Sequence, residues 1–164
     1  MAVHCLRTLR AALTRVQVVV RPGEAALRAL LEAEGAPVVE CALAPLGMGH
    51  SLACGVAAAA EATGWVVTLG DMPRLQSQTI RAVAACLESG AGIAIPTFGG
   101  RRGHPVGFSA RHRSDLLALS GDEGARHIVR SASSAVVELA LDDPGVLADV
   151  DTREDLAGLR LPPP

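Results

Sequence analysis

The sequence predicts an α/β fold on a mostly parallel sheet, and three observations predict it. Short runs rich in β-branched residues alternate with helical stretches of about ten residues, the pattern of strand-helix-strand units. At 164 residues the chain fits one domain with a sizeable core. The run Trp65-Val66-Val67-Thr68-Leu69 reads as a buried strand, stopped by Gly70 just where Asp71 appears, which places a carboxylate at the carboxyl end of that strand.

Taken in order, Cys5 to Leu13 suits a helix with Leu6, Leu9 and Leu13 on one face, and Val16 to Val20 is a strand closed by Arg21-Pro22-Gly23. A helix from Glu24 to Glu34 stops at Gly35, and a strand follows from Val38 to Cys41. The loop Pro45 to Leu52 leads into a helix from Ser51 to Glu61, with Leu52, Val56 and Ala60 spaced four apart. After the strand at Trp65 to Leu69, Pro73 favours an extended conformation at Met72, ahead of a helix from Gln76 to Glu88. Gly92 to Pro96 is the next strand, Thr97 to Gly103 a polar loop, and His104 to Phe108 a strand entered through Pro105. Helices are expected at Arg111 to Leu119 and Gly124 to Val129, then a strand from Ala135 to Leu141 and a turn at Asp142-Asp143-Pro144-Gly145. Asp149 to Thr152 precedes a last helix from Arg153 to Leu159. The domain is expected to span 1–160, and 161–164 to form a stiff, disordered proline-rich tail.

Composition excludes several classes. Charged residues make up 20% of the chain and the formal net charge is -2, so neither a nucleic acid nor a membrane surface is expected as partner. One Trp, two Phe and no Tyr leave no aromatic platform for stacking bases. Cys5, Cys41, Cys54 and Cys86 form no CxxC pair, which argues against zinc, thioredoxin-type chemistry and a disulfide framework; they read as buried small hydrophobes. No secretory signal and no membrane-length apolar run is visible, so a cytoplasmic location is expected. No G-x-G-x-x-G follows a first strand, which disfavours a dinucleotide-binding oxidoreductase domain.

Two stretches carry candidate chemistry. Asp71, on the rim where ligands of open α/β sheets collect, suits a hard cation that carries phosphates; a carboxylate between strand and helix also serves as a turn former or N-cap. Gly47 and Gly49 permit close backbone approach to a ligand, and free N–H groups at the following helix start favour an anion, although the same residues make a plain loop and cap.

Read together, Gly47-Met48-Gly49-His50-Ser51-Leu52, Gly70-Asp71-Met72-Pro73, Gly103-His104-Pro105-Val106, Gly121-Asp122-Glu123-Gly124-Ala125-Arg126 and Asp149-Val150-Asp151-Thr152-Arg153-Glu154-Asp155-Leu156 resemble the MobA-like nucleotidyltransferases, most nearly the molybdenum cofactor cytidylyltransferase branch. The resemblance implies a Rossmann-like, three-layer fold. It also implies transfer of a nucleotidyl group from CTP, or GTP, to the terminal phosphate of molybdopterin with release of pyrophosphate. Magnesium would be held by Asp71 and Asp151, the two catalytic carboxylates. Gly47, Gly49, Ser51, Leu52 and Gly70 would meet the nucleotide, and Arg101, Arg102 and His104 the acceptor. Asp122 and Arg126 would hold their loop together by capping and pairing. A molybdoenzyme or its chaperone is an implied further partner, and the segment from Gly47 to Leu52 leans toward cytidine.

One part of the family pattern is absent. The family opens with a strand and a phosphate loop of the form LAAGxSxRxG with a lysine soon after, whereas this sequence opens at the helix beyond that loop and contains no lysine. The first central strand, expected between Val16–Val20 and Trp65–Leu69, is therefore missing, which would leave two rows of backbone groups unpaired at about 1–3 kcal/mol for each unsatisfied one. Direct pairing of the flanking strands, a strand from another chain, or a fragment or misplaced start would each account for it, and the last is the expectation. A non-catalytic cofactor-binding or carrier protein of this fold is the alternative function.

Overall fold

Two separate sheets carry the strands in the computed structural model, which describes residues 1–150. The expected last helix, Asp151 and the proline tail lie outside the described residues. Helix α1 (Ala2–Ala12), strand β1 (Val18–Val20), helix α2 (Ala25–Ala33) and strand β2 (Val38–Glu40) form the first unit, with β1 and β2 paired in parallel, Val18 opposite Val38. Helix α3 (Met48–Ala58) follows, then β3 (Gly64–Val67), α4 (Ser77–Glu88), β4 (Ile93–Phe98), β5 (Arg101–Arg102) and β6 (Val106–Ser109). Helices α5 (Arg113–Leu117) and α6 (Arg126–Ser131) and strand β7 (Val136–Ala140) complete the described elements.

The larger sheet contains β3, β6, β4, β5 and β7. Strands β3, β4 and β7 share one direction, as the sequence predicts; β6, between β3 and β4, and the short β5 run against them. Connection length explains the exception. Residues 99–105 are too few for a crossover, which takes about a dozen residues or more, so the chain after β4 can return only as a hairpin.

β1 and β3 share no ladder, and among the described residues no strand lies between them, so the flanking strands have not closed up on one another. Helices join the two sheets instead. On α1, Leu6 packs with Val20, Leu31 and Ala36 beside the small sheet, while Leu9 and Ala12 pack with Val66, Met72 and Ile80 beside the large one. On α3, Val56 and Leu52 enter the main core with Trp65 and Phe108, while Gly55 lies against Val19 of β1. The spacing Leu6, Leu9, Leu13 that predicted α1 is thus the stripe that bridges the sheets.

The main core lies on the α3, α5 and α6 side, where Ile93, Phe108, Leu116 and Ile128 are each no more than 2% exposed. On the opposite face α4 covers β6 closely, with Val83 and Leu87 over Gly107. This is the three-layer arrangement expected of the class. Two of the four thiols, Cys54 and Cys86, are half-buried rather than buried, since α3 and α4 each turn a flank toward solvent; all four are free. No helix of the described residues is long and apolar enough to cross a membrane.

Phe108 is 1% exposed at the centre of this core, so Phe108→Ala is expected to lower unfolding stability by about 3–5 kcal/mol, read from the midpoint of a urea melt.

Candidate functional site

Asp71 follows the end of β3 in the turn leading to α4, and one of its carboxylate oxygens, Oδ1, is buried with no hydrogen-bond partner. A buried carboxylate oxygen is costly to leave unpaired, so this is an atom suited to a cation. The turn is tied down on both sides. The Cys5 thiol of α1 donates to the Gly70 carbonyl at 3.4 Å, and the Val150 N–H donates to the Asp71 carbonyl at 2.9 Å. Burial pushes the Cys5 thiol up from its ordinary pKa. The described chain therefore closes on Asp71 with the residue that precedes Asp151; Asp151 itself lies outside the described residues.

His104 adjoins the same region. Its N–H donates to the Val146 carbonyl at 2.9 Å, and its Nδ1 is buried without a partner. Burial pulls the imidazole pKa down; the charge of Asp71 opposes this, Arg126 reinforces it, and the Val67 carbonyl and Asp149 oppose it. Asp71, Arg126 and Asp149 thus all act on the half-buried ring of His104.

Arg101 and Arg102 lie on β5 and are exposed. Arg102 is not a free cation: its guanidinium pairs with Glu138 of β7 at 2.6 Å. Arg101 makes no ion pair among the described residues. The three acceptor candidates therefore differ in kind, with one paired, one open and one half-buried.

The glycine loop departs from expectation in one respect. Helix α3 begins at Met48, so Gly49 and Ser51 lie inside it, and the Gly49 N–H is already taken by the Gly121 carbonyl at 2.8 Å. That donor is not available to an anion. Gly47 has φ +132°, and a side chain there would overlap the Gly121 carbonyl group. The segment from Ser120 to Asp122 is the wall against which this loop is moulded. Asp122 has its carboxylate against Gly47, and among the described residues the expected ion pair with Arg126 is not made; the charge of Arg126 bears on His104. Ser51 is half-buried, Leu52 packs against the main core, and Gly70 is exposed with open space around its Cα.

The sequence reading missed Asp143. It is 2% exposed, and its carboxylate accepts the Gln76 N–H at 3.0 Å, the Thr79 hydroxyl at 2.6 Å and the Gly145 N–H at 2.9 Å. In the sequence it is one of two aspartates in a turn signal, and nothing there separates it from Asp142.

Among the described residues no group of three or more His, Cys, Asp or Glu side chains converges as a metal cage. An open arrangement of one or two carboxylates, completed by phosphate oxygens and water, is how magnesium sites in phosphoryl-transfer enzymes are commonly built.

A layered α/β scaffold with a buried, unpartnered carboxylate oxygen at a strand end is the kind of frame on which nucleotide-handling proteins are built. The chain belongs to the MobA-like NTP transferase domain family, whose model matches residues 1–137. It is 35% identical over 118 residues to the purine catabolism protein PucB of Bacillus subtilis (strain 168), which covers 70% of this chain and 57% of that protein; the chain thus spans little more than half the length of that relative. Among solved structures, the manganese complex of Rv0371C from Mycobacterium tuberculosis H37Rv superposes with a TM-score of 0.78 at 30% identity, over 95% of this chain and 83% of the other. A nucleotidyl transfer protein from Methanothermobacter superposes with a TM-score of 0.75 over 95% of this chain and 76% of its own, at 19% identity, a likeness of fold alone.

The two glycine positions separate strain from mere proximity. Gly47→Ala is expected to cost about 1–3 kcal/mol through its positive φ and the Gly121 contact, whereas Gly70→Ala, with open space and no positive φ, is expected to stay within about 0.5 kcal/mol in the same thermal or urea melt.

Proposed function

We propose that this chain is a cytoplasmic, magnesium-dependent nucleotidyltransferase that passes a nucleotidyl group, CMP in preference to GMP, from the triphosphate to molybdopterin and releases pyrophosphate. The observation that carries the reading is the unpartnered, buried Oδ1 of Asp71, held in a turn whose carbonyl receives the N–H of Val150, the residue before Asp151. Hard carboxylate oxygens are the donor set magnesium prefers, and Asp71 with Asp151 would hold the ion. Family membership supports nucleotidyl transfer, and the manganese in the Rv0371C structure supports a divalent cation. The name of PucB places that relative in purine catabolism and specifies no acceptor; molybdopterin comes from the motif resemblance.

When bound, the ion supplies neutralisation of the triphosphate oxygens and of the charge that develops as the α-phosphorus is attacked. The rest falls to side chains and backbone. Gly47, Gly49, Ser51, Leu52 and Gly70 form the nucleotide side; with the Gly49 N–H engaged by Gly121, the part of this segment is to shape the base and sugar pocket rather than to cradle phosphate. Arg101 and the imidazole of His104 meet the acceptor phosphate, and Arg102, paired with Glu138, stiffens the hairpin that presents them. The acceptor oxygen bonds to the α-phosphorus, the bond to the bridging oxygen breaks, and pyrophosphate leaves with that electron pair. No protein nucleophile takes part.

A second reading, a non-catalytic cofactor-binding or carrier protein, is favoured by the absence of lysine from all 164 residues and by the engagement of the Gly49 N–H. Incubation of the protein with molybdopterin, magnesium and either CTP or GTP separates the two. Acceptor-dependent pyrophosphate release, faster with CTP and reduced at least about 100-fold in Asp71→Asn, is the expected result. Molybdopterin binding without pyrophosphate from either nucleotide would replace the enzyme with the carrier.

A further inference from the structure

We propose that Asp143 is a positioning residue for the metal site: its buried carboxylate fixes the spacing between the turn that carries Asp71 and the segment that leads to Asp151. The proposal rests on the reading that these two carboxylates share one divalent ion.

Two stretches far apart in the chain lie side by side, residues 71–79 and residues 143–150. They are joined at one end by the Val150 N–H on the Asp71 carbonyl, and at the other by Asp143, whose Oδ2 receives the Gln76 N–H and the Thr79 hydroxyl. Oδ1 of Asp143 receives the Gly145 N–H, which folds its own turn back onto the same carboxylate. Between the two ends the stretches are in contact: a side chain at Gly145 would overlap the Arg74 carbonyl, so the second stretch can lie this close only with glycine there.

The chemistry suits a spacer rather than a ligand. Both oxygens of Asp143 are engaged by N–H and O–H donors and the residue is 2% exposed, so the carboxylate serves donors of the protein rather than an ion. Hydrogen bonds to a buried carboxylate are short and strong, and Gln76 stands at the N-terminus of α4, where negative charge is favoured. An asparagine of the same shape has a single acceptor oxygen, so its amide hydrogens must face either the Gly145 N–H or the donors from Gln76 and Thr79. One end of the paired stretches then loosens while the Asp71 side chain itself is unaltered.

The test measures manganese affinity of the full chain without nucleotide, by electron paramagnetic resonance titration, alongside the melting temperature. Asp71→Asn reports on the metal reading, and Asp143→Asn and Thr79→Val report on the spacer. Asp143→Asn is expected to weaken manganese binding about tenfold, and Thr79→Val, which removes one donor and keeps the volume, about two- to fivefold. A purely structural Asp143 would lower the melting temperature and leave the affinity of the folded protein unchanged. Should Asp143→Asn fail to fold, Thr79→Val decides. Manganese binding that depends on Asp71 but is equal to wild type in the folded spacer variants overturns this proposal alone. Absent binding, or binding indifferent to Asp71→Asn, overturns the metal reading and this proposal with it.

Discussion

The hydrogen bond from the Val150 N–H to the Asp71 carbonyl is the constraint on which the site depends. It joins the turn after β3 to the segment after β7, and so brings the far end of the described chain to Asp71, whose Oδ1 is, among the described residues, the one buried carboxylate oxygen without a partner. A backbone bond of this kind is worth only about 0.5–1.5 kcal/mol by itself. It gains from company: Asp143 anchors the same two stretches at their other end, and the His104 N–H holds Val146 between them. Several modest bonds in parallel set a distance more firmly than any one of them.

The scaffold behind this rim is unusual in how it is joined. Strand β1 belongs to one sheet and β3 to another, and the load passes through the apolar stripe of α1 on one face and through α3 on the other. Helix α1 therefore serves two cores at once. Its Cys5 also donates to Gly70, so the same helix that bridges the sheets steadies the approach to Asp71.

Much of the fold was legible in the sequence because it is written in local patterns. The β-branched runs read as strands at Val16–Val20 and Trp65–Leu69 hold shorter strands, Val18–Val20 and Gly64–Val67, and the leucine spacing of α1 is a buried stripe. What local patterns cannot carry was not legible. Helix α3 starts at Met48 rather than Ser51 because Gly121, distant in sequence, accepts the Gly49 N–H. Arg102 is neutralised by Glu138 only because β4 pairs with both β5 and β7. Asp143 looked like part of a turn, and its partners Gln76 and Thr79 lie 67 and 64 residues away. The Asp71 motif was readable from a strand, a stop and a carboxylate; the residue that fixes its surroundings was readable only from tertiary contacts.

The stoichiometry of divalent metal binding tests the central claim most directly. Calorimetric titration of the protein with magnesium in the presence of a non-hydrolysable triphosphate is expected to show one ion per chain, lost in Asp71→Asn and equally lost in Asp151→Asn. A tight ion that persists unchanged in either variant would mean that the two carboxylates do not share it, and the account would be contradicted.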